Sequence, residues 1–139
     1  MRVETIATVS ETGDSPFSVA IEVSGHRLTG DEPEDQGGAD LGPSPYDLLT
    51  AALAECTTLT VRWYARQKGW PLEKVAVEVR HRKGGEGTTD PRQDRFEKTV
   101  HLTGPDLSAE QRVKLVEIAA RCPIQRSLEG TPLILTRTG

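Results

Sequence analysis

Apolar positions recur with two different periods along this chain. Near the N-terminus the period is two. Residues 2–10 alternate imperfectly, with Val3, Ala7 and Val9 on one side and Glu4, Ile6 and Thr8 on the other. Thr12-Gly13-Asp14-Ser15-Pro16 is a cluster of turn residues. Phe17 to Val23 then alternates cleanly and is expected to pair antiparallel with the first strand. Ser24-Gly25 reads as a tight turn and His26 to Thr29 as a short third strand. Asp31 to Leu41 has no period and reads as an acidic, solvated loop.

From Ser44 the period changes. Ser44 is a good N-cap, Pro45 suits the first helical position, and Asp47 puts an acid three residues after the cap. Leu48 to Cys56 is apolar almost all round, as a helix enclosed on most sides requires. Leu49, Ala52, Leu53, Cys56, Thr60 and Trp63 fall on one stripe, which points Cys56 inward. Gly69 supplies a C-cap, and Pro71 forbids continuation. Period two returns at Val75, Val77 and Val79, set among charged neighbours. Lys83 to Pro91 reads as a mobile hairpin loop. Arg95 to Thr103 is the returning strand, with Phe96, Val100 and Leu102 on one face and Lys98 interrupting them. Ser108-Ala109-Glu110-Gln111 is a capping sequence for a helix ending near Cys122. Pro123 starts a second short helix from Ile124 to Leu128, and Thr131 to Thr138 reads as a final strand. The order βββ–α–ββ–α(α)–β, dominated by hairpins, predicts an α+β fold with antiparallel sheet in a single domain, residues 1–139.

Composition changes this picture in one respect. Only 35% of the residues are hydrophobic, with two each of Trp, Tyr and Phe. An all-apolar helix in so polar a chain predicts that a second subunit completes its burial. The net charge of −4 argues against nucleic acid as a main partner. No window reaches the roughly 18 apolar residues of a membrane span, and no secretory signal opens the chain. The expected location is the cytoplasm, where two cysteines are reactive or simply buried rather than a permanent staple.

The two thiols differ in setting. Nothing local to Cys56 lowers its pKa. Cys122 precedes Pro123 at a helix start, where the dipole favours a thiolate, with Arg121 and Arg126 close in sequence. Both remain open to the reading that they are small core hydrophobes. His26, His81 and His101 show no metal-ligand spacing with the cysteines, so no metal is expected. His81 and His101 lie on adjacent predicted strands and read as surface residues that could face each other.

Gly42-Pro43-Ser44-Pro45-Tyr46-Asp47-Leu48-Leu49, then Ala51-Ala52-Leu53-Ala54-Glu55-Cys56-Thr57, and later Cys122-Pro123-Ile124, resemble the OsmC/Ohr family of thiol-dependent peroxidases. The resemblance implies the OsmC-like fold: an intertwined homodimer whose sheets wrap long central helices. It implies Cys56 as the residue attacking a small apolar hydroperoxide, Cys122 as its disulfide partner, no bound cofactor, and an external dithiol as electron donor. The family's peroxidases hold the thiolate with an arginine near the first hairpin and a glutamate after the helix-starting proline. Here the first hairpin has no arginine, and Tyr46 follows Pro45. Asp47 could stand in for the glutamate after a rotation of about 100°. Arg27, Arg121 and Arg126 are the candidate cations. The alternatives are a redox-sensing or small-molecule-binding module without turnover, and a structural dimer with two inert thiols.

Overall fold

A computed structural model describes residues 2–85 and 88–139. The chain divides into two compact units, one ending at Leu49 and one beginning at Thr50. The first holds strands β1 (Ala7–Glu11), β2 (Val19–Val23) and β3 (His26–Gly30) in an antiparallel sheet of that order. Val9 opposes Ile21, and Ile21 opposes Leu28. The clean alternation of the second strand thus sets the register, since a slip of one residue would turn Ile21 out of the interior. The first strand is shorter than its sequence suggests, and all five of its residues are exposed.

The acidic loop is not simply solvated. Asp31 is buried at 3% exposure. Its carboxylate accepts hydrogen bonds from the Ser15 hydroxyl and from the N–H groups of Glu32, Ala39 and Leu41. A short 3-10 turn, Glu34–Gln36, follows it. Burial pushes the Asp31 pKa up, but these donors outweigh it and hold the value below the ordinary 3.8. A depressed carboxylate stabilises the fold fully above its unfolded value and loses that contribution as pH falls through the folded one. Asp31→Asn should therefore lower the denaturation midpoint at neutral pH and reduce its further fall below about pH 4; equal acid sensitivity in both proteins would contradict this. Gly42 closes the loop where no side chain fits, because a Cβ there would lie 2.0 Å from the Thr29 carbonyl oxygen.

Helix α1 runs Pro45–Lys68. At its start the Asp47 carboxylate accepts from the Ser44 N–H at 2.9 Å, and the Ser44 hydroxyl accepts from the Asp47 N–H at 3.3 Å. This is a reciprocal capping box with aspartate at its third position. At its end Gly69 is left-handed (φ 65°), Gly69 N–H donates to Arg66 and Trp70 N–H to Ala65. That pair of bonds is a Schellman motif.

In the second unit, strands β4 (Lys74–Arg82) and β5 (Arg95–Thr103) pair antiparallel over their full length. Their connection includes residues 86 and 87, so the expected mobile loop lies partly outside the described residues. Helix α2 (Ala109–Ala119) begins with the predicted Ser108/Gln111 capping box, and α3 (Pro123–Glu129) follows at once. The core is Val61 and Ala65 of α1, Leu72, Leu107, and Leu115 and Ala119 of α2, with Val75, Val100 and Leu102 of the sheet packed on it.

Three further expectations are corrected. The buried stripe of α1 is Leu53, Thr57, Val61 and Ala65, while Trp63 is 62% exposed. The helix is therefore rotated by about one residue, or 100°, from the expected face. Residues 131–139 form no regular element, and Leu133 and Leu135 are exposed. Alternation alone makes no strand without a neighbour to pair with. His81 opposes Phe96 and His101 opposes Ala76, so the two histidines do not face each other. His81 is instead bonded to Asp94 at 2.9 Å. Among the described residues, no helix is long and apolar enough to cross a membrane.

Candidate functional site

The second unit brings the two cysteines together. Cys56 lies mid-way along α1 and is half-buried; Cys122 is fully buried as the N-cap of α3; both are free thiols. The two thiols lie close enough for each to shift the other's ionisation. Thr57, Lys98 and Gln125 complete the surroundings of Cys122. The Thr57 hydroxyl lies 3.4 Å from the Cys122 Sγ, the Gln125 N–H donates to it at 3.4 Å, and the Lys98 Nζ lies 3.6 Å away.

Each contact follows from local structure. Thr57 is one residue beyond Cys56 and falls on the buried stripe, so its hydroxyl meets the sulfur from inside. The same hydroxyl lies 2.8 Å from the Leu53 carbonyl oxygen, the usual back-bond of a mid-helix threonine. It has one proton, which can serve the carbonyl or the sulfur, but not both. Gln125 is the third residue of α3, where N–H groups have no helical acceptor and turn to the cap. Pro123 positions that turn. Lys98 occupies an inward position of β5 between Phe96 and Val100. Its ammonium donates to the Ala119 carbonyl at 2.9 Å, at the C-terminal end of α2, where a cation is favoured.

These contacts push the two thiols apart in acidity. Burial raises the Cys122 pKa, but the Thr57 hydroxyl, the Gln125 N–H, the Cys56 S–H and the Lys98 charge together carry it below the ordinary thiol value. Cys56 moves the other way. Burial raises its pKa most, and Cys122 adds to the rise, against weaker help from the Ile124 N–H and the Thr60 hydroxyl. Of the two thiols, Cys122 is therefore the one that ionises more readily. Thr57→Val should lift the Cys122 pKa and slow alkylation of that sulfur at neutral pH severalfold, since one donor to the anion is lost. An unchanged rate would show that the hydroxyl proton stays on Leu53.

Asp47 is engaged in capping α1. Arg27, on β3, is exposed and lies 3.8 Å from Glu22. Arg121 and Arg126 are exposed beside the α2–α3 junction. The cation at the sulfur is Lys98, which sequence reasoning passed over. Its signal was present: a lysine interrupting the apolar face of a strand must find a partner for its charge inside.

The chain belongs to the OsmC-like protein family, whose model matches residues 37–136. No curated protein matches it. Among solved structures, it is similar to an OsmC-like protein from Mycoplasma pneumoniae, at 22% identity and a TM-score of 0.72 over 94% of this chain and 90% of that one. A protein from Psychrobacter arcticus, assigned to osmotic stress and detoxification, gives 22% and 0.72 over 91% and 90%. An organic hydroperoxide resistance protein OsmC from Legionella pneumophila gives 22% and 0.65 over 91% and 90%. The similarity establishes the α+β OsmC-like fold.

Proposed function

We propose that this chain reduces small organic hydroperoxides with its two thiols and is recharged by an external dithiol. The observation that carries the reading is the proximity of two free thiols, Cys56 and Cys122, with the Lys98 ammonium 3.6 Å from the Cys122 sulfur. Membership of the OsmC-like family and similarity to a hydroperoxide resistance protein support it. Cys56 is only partly buried while Cys122 is fully buried, so Cys56 is the sulfur a substrate would reach.

The chemistry balances as follows. The proton on Cys56 passes to the neighbouring Cys122 sulfur. The Cys56 thiolate attacks the outer peroxide oxygen, forming an S–O bond and breaking the O–O bond. The departing alkoxide takes the proton from Cys122 and leaves as alcohol. The Cys122 thiolate then attacks the Cys56 sulfenic acid, forming the S–S bond and expelling hydroxide. The peroxide gains two electrons and the thiol pair loses two, which the external dithiol restores. No bound cofactor takes part. The working form is a homodimer in a reducing cytoplasm. Exposed Leu59 and Trp63 on α1, Val113 and Val116 on α2, and Leu133, Ile134 and Leu135 supply apolar surface for a second subunit.

The test is continuous consumption of an organic hydroperoxide by the pure protein with a dithiol present. Many turnovers per chain are expected. One oxidation per chain, with no further consumption, would replace this reading by a redox sensor. That second reading is favoured by Tyr46 and Asp47 at the helix start, where the family's peroxidases place a glutamate.

A further inference from the structure

We propose that Lys98 decides which sulfur of the pair carries the negative charge: its ammonium holds the charge on buried Cys122 and so makes that residue the nucleophile of disulfide closure. This rests on the two-thiol reading above and adds a residue to it. The groups facing the Cys122 sulfur come from three elements. Cys56 and Thr57 face it from α1, Lys98 from β5, and the Gln125 N–H from α3; the Ala119 carbonyl at the end of α2 shares the same ammonium. Of these side chains, Lys98 is the cation.

The placement of Lys98 makes a structural role insufficient. Its side chain rises from the inward face of β5, between two apolar neighbours. A partly desolvated ammonium requires compensation for its charge, not merely a hydrogen bond. The Ala119 carbonyl supplies a dipole but no net charge. The Cys122 sulfur at 3.6 Å is the second acceptor, and it balances the ammonium only as a thiolate. The ammonium therefore stabilises the charged form of Cys122. Cys56 lies beyond Cys122 in the pair and keeps the proton.

The consequence is a separation of steps. Removing the ammonium withdraws support from the Cys122 anion, so closure of the disulfide slows. Attack on the peroxide by Cys56 slows less than closure, because the loss of the proton acceptor at Cys122 is offset by the loss of the neighbouring anion that disfavours a Cys56 thiolate. A residue needed only for folding would depress both steps together.

Two measurements test this. The first is thiolate absorbance near 240 nm against pH in Cys56→Ser protein, where Cys122 is the only thiol, with and without Lys98→Met. An opposite charge at this distance shifts an ionisation about tenfold or more. The double variant should therefore show about tenfold less thiolate at a given pH below its midpoint, and Lys98→Arg in the same background should restore it. The second is trapping of Cys56 sulfenic acid with dimedone after one equivalent of cumene hydroperoxide. The trapped fraction should rise severalfold in Lys98→Met, because closure slows more than the attack that forms the sulfenic acid. Coincident titrations with and without Lys98→Met would overturn the proposal. So would equal slowing of both steps in a Lys98→Met protein with a native circular dichroism spectrum. The titration needs no peroxide, so a shifted titration in a protein without turnover would uphold the charge assignment while defeating the peroxidase reading.

Discussion

Replacing Cys56 with serine is expected to reduce dithiol-dependent hydroperoxide consumption to the uncatalysed rate. Serine keeps the size of the side chain but is a far weaker nucleophile at neutral pH. Cys122, although the more acidic thiol, is fully buried and cannot meet the substrate in its place. Cys122→Ser should behave differently. It retains the reachable sulfur, so one equivalent of peroxide is consumed and a sulfenic acid accumulates. Turnover then fails for want of a partner thiol. Undiminished turnover in Cys56→Ser would mean that Cys122 meets the peroxide after all. The asymmetry is useful because acidity and access point to different sulfurs. Acidity marks Cys122 as the thiolate; access marks Cys56 as the attacking atom. Their proximity reconciles the two, since a proton can pass from one sulfur to the other without leaving the pair.

Leu115→Ala carries the largest expected effect on stability. Leu115 has no exposed surface and sits at the centre of the core shared by α1, α2, Leu72 and Leu107. Truncating such a leucine costs roughly 2–5 kcal/mol, the transfer of the lost methyl groups plus the cavity left behind. In a chain of this length that is a fall on the order of 10 °C in the thermal midpoint. Chemical denaturation with the slope unchanged is the appropriate check. A loss under about 1 kcal/mol would mean that α2 shifts to fill the space. The same change bears on the thiols. Ala119, one turn further along α2, both packs in this core and offers its carbonyl to Lys98. Loosening α2 should therefore also weaken the Lys98–Cys122 contact.

Much of the fold was legible because local signals agreed with one another. The helix from Pro45 to Lys68 is bracketed by a cap, a first-turn proline and a C-terminal glycine, and each performs its expected role. The strand from Arg95 to Thr103 has the bounds its alternation suggests. Signals that depend on neighbours failed. The apolar run of α1 shows no contrast around its circumference, so periodicity could not place the buried stripe to within one residue. Thr57 was consequently overlooked beside Cys56. Residues 131–138 alternate as a strand does, but a strand also needs a partner. Asp31 looked solvated because its four hydrogen-bond donors are spread from Ser15 to Leu41.

The site divides in the same way. The two cysteines were legible through the motifs that surround them. The cation was not, because arginines close in sequence to Cys122 drew attention away from a lysine 24 residues earlier. Arg121 and Arg126 are near along the chain, yet exposed. Lys98 is distant along the chain, yet the β5 face delivers it to the sulfur. Distance in space, not in sequence, sets which charge a buried thiol feels.

The whole account depends on two sulfurs close enough to exchange a proton and then to bond. The direct measurement is peptide mapping by mass spectrometry after one equivalent of an organic hydroperoxide, without reductant. The expected product is a single species in which the peptides bearing Cys56 and Cys122 are joined within one chain. Oxidation that stays on separate, unlinked cysteines, or that links different chains, would contradict it.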